Sequence, residues 1–251
     1  IIEKPLISLG LKDFYDLSFN KAKSSSISGI KAQVKVLDNS LRRDWRTIRQ
    51  LIIKGGLSIE LEKKIISVFQ KLAEAESKVH GIDIDEVHFH EIGSIDSIID
   101  IVGVCAGFHY LKPKFIYSNT PTLGKGFVQT EHGKMSIPSP AVIELVARKK
   151  LTVYADSDLE NGELATPTGI ALLLSLVNSF ETPSKYFINS YGVGLGSRNF
   201  SFPNLTRILN ISSFNRKLAL SDNKFNSPKF QEICIQEAWI DDQSSEDISS
   251  F

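Results

Sequence analysis

The chain has 251 residues, 42% of them hydrophobic and 23% charged, which is ordinary for a soluble globular protein and sufficient for one large domain or two small ones. Lysine plus arginine balances aspartate plus glutamate at 29 each, so no net field points to nucleic acid, an anionic membrane or a polyanionic substrate. Two distant cysteines, Cys105 and Cys234, argue against a disulfide framework or a thiolate zinc site and fit a cytoplasmic compartment, and no apolar run approaches the roughly 20 residues of a membrane span.

Residue 1 is isoleucine rather than methionine, and Leu6 to Leu11 reads as the tail of a helix running into Gly10, so the start is expected to be trimmed. Residues 1–23 read as a helical remnant with Leu11, Phe14, Tyr15 and Leu17, followed by a Lys/Ser loop. Ile27 to Leu37 alternates as a strand through Ile30, Val34 and Val36. Asp44 is placed to cap a short helix that Gly55 and Gly56 end. Ser58 starts a longer one to about Val79, with Leu61, Ile65, Val68, Phe69 and Leu72 on one face and Glu60, Glu62, Lys63, Lys64 and Lys71 as its solvated face.

The stretch from Asp85 to Val104, DEVHFHEIGSIDSIIDIVGV, concentrates the chemistry. Glu86 to Glu91 alternates, so Val87 and Phe89 share one face of a short strand while His88 and His90 share the other. Gly93 and Ser94 break it, and Ser94 can cap a helix carrying Ile95, Ile98, Ile99 and Val102. That helix is apolar nearly all round and is expected to be buried, with Asp96 and Asp100 one turn apart on a shared face. Buried carboxylates need partners, so the upstream histidines or a cation are the candidates. The helix dipole also accounts for Asp96 in the first turn, but not for Asp100 beyond it.

Further on, Lys114 to Tyr117 reads as a strand, and Phe127 to Thr130 with Lys134 to Ile137 as a hairpin whose tip holds His132. Pro140 opens a helix, AVIELVAR, and Thr152 to Ala155 reads as a strand. Thr166 and Pro167 suit the N-cap and first residue of a buried helix, TGIALLLSLV. Tyr191 to Asn199, YGVGLGSRN, has G-x-G-x-G spacing and is not a dinucleotide fingerprint; it reads as backbone able to approach a ligand closely. Ser212 to Pro228 reads as a linker and Phe230 to Ile240 as one more strand.

Several motifs in order, VHGIDIDEVHFHEIGSIDSIIDIVG, PTLGKGFVQTEHGKMSIPSPAVIEL, GELATPTGIALL and YGVGLGSRNFSFPNLTRIL, resemble the LarC family of nickel-insertion proteins from about residue 5 to 240. The resemblance implies insertion of nickel into pyridinium-3,5-bisthiocarboxylic acid mononucleotide, forming one carbon to nickel and two sulfur to nickel bonds with consumption of CTP. It also implies that CTP and its Mg or Mn ion are held by a C-terminal domain. The family's opening Gly-Asp-Met segment is absent here, and EICIQEAWIDDQ resembles the start of that C-terminal domain, with Trp239 where asparagine is usual.

The expectation is therefore a mixed α/β architecture: a main domain over residues 1–211, a linker over 212–229 and the start of a truncated C-terminal domain over 230–251. Nickel(II) suits imidazole nitrogen and carboxylate oxygen, so His88, His90 and Glu91 are the candidate ligands. Asp96 and Asp100 would orient the imidazoles or stabilise the cation. Lys125, Thr166, Thr168, Gly169 and Arg198 are candidates for the nucleotide phosphate. Expected partners are the pincer nucleotide precursor and the C-terminal portion of the family, with no nucleic acid and no membrane, and a homo-oligomer is compatible with the sequence. Two other readings share these histidines: a nickel-delivery module without catalysis, and a metal-dependent hydrolase.

Overall fold

A computed structural model describes residues 1–38, 44–89, 93–130, 133–155, 161–198, 200–213 and 232–237. The first helix, α1 (Glu3–Ser8), ends before Gly10, which turns the chain at φ +71°. Strands β1 (Tyr15–Ser24) and β2 (Ile27–Val36) then form an antiparallel hairpin in register from Tyr15↔Val36 to Ser24↔Ile27. This corrects the expectation over residues 15–23, whereas the helix expected to run into Gly10 is present as α1. The two-residue turn is made by Ser25 and Ser26, both at positive φ, where a glycine or asparagine would have announced a hairpin. The partner that makes β1 a strand also lies outside its own window.

The helices follow their local signals. Asp44 caps α2 (Trp45–Lys54) by accepting from the Thr47 amide at 2.7 Å. Ser58 caps α3 (Ile59–His80), and Gly81 ends it in the left-handed conformation at φ +67°. Then come α4 (Ile95–Leu111), α5 (Pro140–Lys149, with proline in its first turn) and α6 (Pro167–Leu176). Helix α3 is the centre of the helical layer, touching α2, α4, α5 and α6. Its Ile65, Val68, Phe69 and Leu72 are fully buried in the main core.

The remaining strands are β3 (Phe115–Ser118), β4 (Gly124–Lys125), β5 (Phe127–Thr130), β6 (Gly133–Ser136), β7 (Gly162–Glu163), β8 (Tyr186–Leu195), β9 (Leu205–Ser213) and β10 (Glu232–Glu237). A mixed six-stranded sheet runs β1-β2-β8-β9-β10-β3, and β4–β7 and β5–β6 form two small ladders. The β2–β8 and β10–β3 pairs are parallel. Residues Thr152 to Ala155 contribute a single bridge, Tyr154 to Thr122, rather than a strand.

The glycine-rich Tyr191 to Leu195, read as ligand-approaching backbone, instead continues β8, with Gly192 opposite Ile208 and Gly194 opposite Thr206. Glycine weakens a strand locally, but pairing to β2 and β9 on either side overrides that preference. The close approach of β8 falls on a protein neighbour. A Cβ at Gly29 of β2 would lie 2.9 Å from both the Leu195 side chain and the Val193 carbonyl. Residues 232–237, expected to open a second domain, form β10 between β9 and β3 of this same sheet, with Cys234 fully buried. Of the expected linker, Ser212 and Ser213 complete β9; residues 214–231 lie outside the described residues.

Gly124 is tightly constrained: at φ +82°, a Cβ would fall 2.1 Å from the Gly162 carbonyl across the β4–β7 ladder. Left-handed backbone strain together with that collision predicts that Gly124→Ala destabilises the protein by about 1–3 kcal/mol, measured as a lower urea midpoint at unchanged m-value. An unaltered midpoint would contradict this packing of β4 on β7.

Candidate metal and anion sites

The segment around His88 is held by the residues that open α2. After a short 3-10 turn over Ile84–Glu86, the Trp45 amide donates to the Val87 carbonyl at 3.1 Å, and Asp44 bridges His88 in antiparallel fashion. Within the described residues the expected strand is thus a single bridge at His88, flanked by Val87 and Phe89. Its alternation holds: Val87 and Phe89 are buried, and the Phe89 ring packs against Phe69 at a centroid distance of 6.4 Å. With its neighbours committed inward, His88 faces outward and is exposed. His90, Glu91 and the hairpin-tip His132 lie outside the described residues.

Asp44 is a neighbour of His88 that local sequence could not supply, because the two are brought together only by the fold. Partial desolvation would raise its carboxyl, but bonds from the Thr47 amide and hydroxyl, together with the nearby His88, hold it below the ordinary carboxylate value. Asp44 therefore stays anionic beside His88 while capping α2.

Helix α4 corrects one expectation. Ile95, Ile98, Ile99, Ile101, Val102 and Cys105 are buried, but Asp96 and Asp100 are exposed, on a narrow outward stripe that Val104 continues one turn later. The apolar composition of the window conceals that stripe because it takes only every fourth residue. Although Asp100 keeps exposed surface, desolvation by the surrounding protein and then the Asp96 carboxylate push its carboxyl up to about 6. On the inner face, burial pushes the Cys105 thiol up to about 12, so it offers no thiolate near neutral pH. Ser94 occupies the N-cap position, and its hydroxyl lies 3.1 Å from that of Ser97. Among the described residues, no group of three histidine, cysteine, aspartate or glutamate side chains could by itself hold a metal ion.

The anion candidates gather around the β4–β7 ladder. Lys125 pairs in register with Gly162, and the next residue, Glu163, receives Arg198. The Arg198 Nη1 donates to the Glu163 carbonyl at 3.3 Å, and Nη2 lies 3.8 Å from its Oε2. Three residues beyond Glu163, Thr166 caps α6 by accepting from the Gly169 amide at 3.1 Å. That bond uses the Gly169 N–H, and Pro167 has none, which leaves the Thr168 amide as the donor of this turn that the cap does not occupy. Lys125 and Arg198 thus meet adjacent residues of β7, and Thr166, Thr168 and Gly169 follow β7 directly in the chain. Among the described residues, no hydrogen bond or ion pair joins them to His88, Asp96 or Asp100. The role of Glu163 in holding Arg198 was not legible, since the pair is 35 residues apart.

A cavity of about 520 Å³ lies elsewhere, between α3, α5 and α6, and none of the sequence-predicted site residues lines it.

A model of the nickel insertion protein family matches residues 1–251. A protein of Synechococcus sp. (strain JA-3-3Ab), named provisionally as a nickel insertion protein, is 38% identical over 208 residues, covering 82% of this chain and 52% of that protein. The pyridinium-3,5-bisthiocarboxylic acid mononucleotide nickel insertion protein of Desulfitobacterium hafniense (strain DSM 10664 / DCB-2) is 35% identical over 208 residues, covering 83% of this chain and 50% of its own length. The chain spans about half the length of these curated relatives. No solved structure matches it, and no helix among the described residues is long and apolar enough to cross a membrane. By the match along its whole length and by these relatives, the chain belongs to the nickel insertion protein family.

Proposed function

We propose that this chain captures nickel and the pyridinium-3,5-bisthiocarboxylic acid mononucleotide for the insertion that completes the nickel-pincer nucleotide, as part of a CTP-dependent insertase. The observation that carries this reading is membership of the nickel insertion protein family, together with relatives named for insertion into that mononucleotide. The local chemistry agrees with it. His88 turns an imidazole outward from a strand whose flanking side chains are fixed in the core, and imidazole with carboxylate suits nickel(II). His90 and Glu91 would complete the donor set from the same stretch. Asp96 and Asp100, on the outward stripe of the helix that follows, would orient the imidazoles or stabilise the cation.

The nucleotide phosphate would be met at the β4–β7 ladder by Lys125, by Arg198 and by the start of α6. There the Thr168 amide would donate directly, while Thr166 and Gly169 fix the geometry of the turn through their cap bond. Arg198 would trade part of its contact with Glu163 for the phosphate. CTP and its Mg or Mn ion are assigned to the C-terminal portion of the family, and nickel is the cargo of the reaction.

Nickel binding is expected to depend on the histidines. His88→Ala or His90→Ala should weaken Ni(II) affinity at least about tenfold by titration calorimetry on folded protein. Unchanged affinity in the double variant would remove the assignment.

Asp100 separates a metal-coupled role from a purely structural one. Its folded carboxyl titrates near 6, above the ordinary 3.8, so between those limits the native state binds more protons than the unfolded state and stability falls as pH rises. Asp100→Asn removes that effect. The variant should be at least as stable as the parent at about pH 7 and equal to it below about pH 4, while losing nickel affinity by about 10- to 100-fold. Retained affinity with a lowered melting temperature would refute the coupling.

Separation of the two portions gives the functional test. The isolated chain should bind nickel without turning over CTP, and adding a separately produced C-terminal portion should yield cofactor that reactivates a nickel-pincer racemase apoenzyme. CTP hydrolysis by the isolated chain would show that the nucleotide site is misassigned, and an inert mixture would count against insertion.

A further inference from the structure

The face of α3 carrying Lys63 and Lys71, expected to be simply solvated, instead forms one wall of the 520 Å³ cavity. Helix α5 supplies the opposite wall with Glu144, Arg148 and Lys149, and Ile66, Leu145 and Leu174 contribute apolar surface between them. Four cationic side chains thus meet two carboxylates.

One of those carboxylates is already satisfied. Glu74 accepts from Gln70 through Oε1 at 3.0 Å and from Arg148 through Oε2, which cancels the arginine's charge and fixes it across the gap between α3 and α5. Among the described residues neither Lys63 nor Lys149 belongs to an ion pair, and Lys71 donates to the hydroxyl and carbonyl of Ser67 at 2.8 and 3.3 Å. Three lysines are left facing Glu144. Desolvation, and then the like charge of Lys149, lower the Lys71 ammonium below its ordinary value, with Glu74 a partial offset. An anion between Lys71 and Lys149 would relieve that repulsion.

We propose that the cavity between α3 and α5 is a second anion site, which takes the phosphate of a nucleotide-sized molecule on Lys63, Lys71 and Lys149 and its less polar part on Ile66, Leu145 and Leu174. The volume lies within the range of small-molecule sites, and several ammonium groups lining one cavity from two facing helices suit a phosphate monoester or anhydride. The site is separate from the β4–β7 cluster and does not depend on the nickel assignment.

Thermal unfolding of the full chain at constant ionic strength tests it, with adenosine monophosphate, inorganic pyrophosphate and adenosine as probes. Adenosine monophosphate, pyrophosphate or both should raise the melting temperature by at least about 2 °C, while adenosine leaves it unchanged. A response to adenosine monophosphate alone identifies a nucleotide monoester site, and a response to pyrophosphate an anhydride site. Lys71→Gln with Lys149→Gln should weaken probe binding at least tenfold by calorimetry, and Lys149→Gln alone, on the exposed end of α5, should weaken it measurably while keeping the native circular dichroism. Lys54→Gln, an equal charge change at the end of α2, should have no effect. No response to either phosphate probe, or a response retained in both cavity variants, would overturn the proposal.

Discussion

The contact between Phe89 and Phe69 is the constraint on which the candidate nickel site depends. Phe69 belongs to the fully buried stripe of α3, and Phe89 reaches it from the short extended segment that carries His88. Because side chains alternate along extended backbone, burying Val87 and Phe89 directs His88 outward. A slip of one residue would put an imidazole in the core and a phenyl ring in water, forfeiting about 1.5–3 kcal/mol of apolar burial. The backbone bond from Trp45 to Val87 secures the register from the side of α2. Thus the packing of the helical layer, rather than any local preference of histidine, aims the imidazole.

Helix α4 sorts its chemistry between two faces. Inward, Cys105 is kept as a thiol by burial and acts as core. Outward, Asp96 and Asp100 stand one turn apart, close enough for one charge to raise the other's affinity for a proton. A site drawing on this region would use nitrogen and oxygen donors, which suits nickel carried on imidazole and carboxylate. Asp44, anionic beside His88, sets a negative charge next to that imidazole.

Two cationic regions are built on a common plan. At the β4–β7 ladder Glu163 holds Arg198, and between α3 and α5 Glu74 holds Arg148. In each, a carboxylate fixes a guanidinium while neighbouring lysines, Lys125 in one and Lys63, Lys71 and Lys149 in the other, contribute further charge. The net charge of zero for the whole chain therefore conceals local surpluses, since formal balance says nothing about how charges are distributed over a folded surface.

Local chemistry determined the helices and the alternation of side chains around His88, while long-range packing chose which face turns outward. The caps at Asp44, Ser58 and Thr166 and the prolines at the starts of α5 and α6 act within one turn, so their signals are written in adjacent residues. Likewise the alternation around His88 needs only three residues to be read. Strand pairing was decided by tertiary structure: β1 lacks a glycine turn to announce its hairpin, β8 contains glycines that argue locally against a strand, and β10 lies between strands distant in the chain. The same holds for the outward placement of Asp96 and Asp100, the approach of Asp44 to His88, and the cavity lysines. Each depends on which neighbouring element covers a given face, and that is settled by long-range packing rather than by the composition of the segment itself.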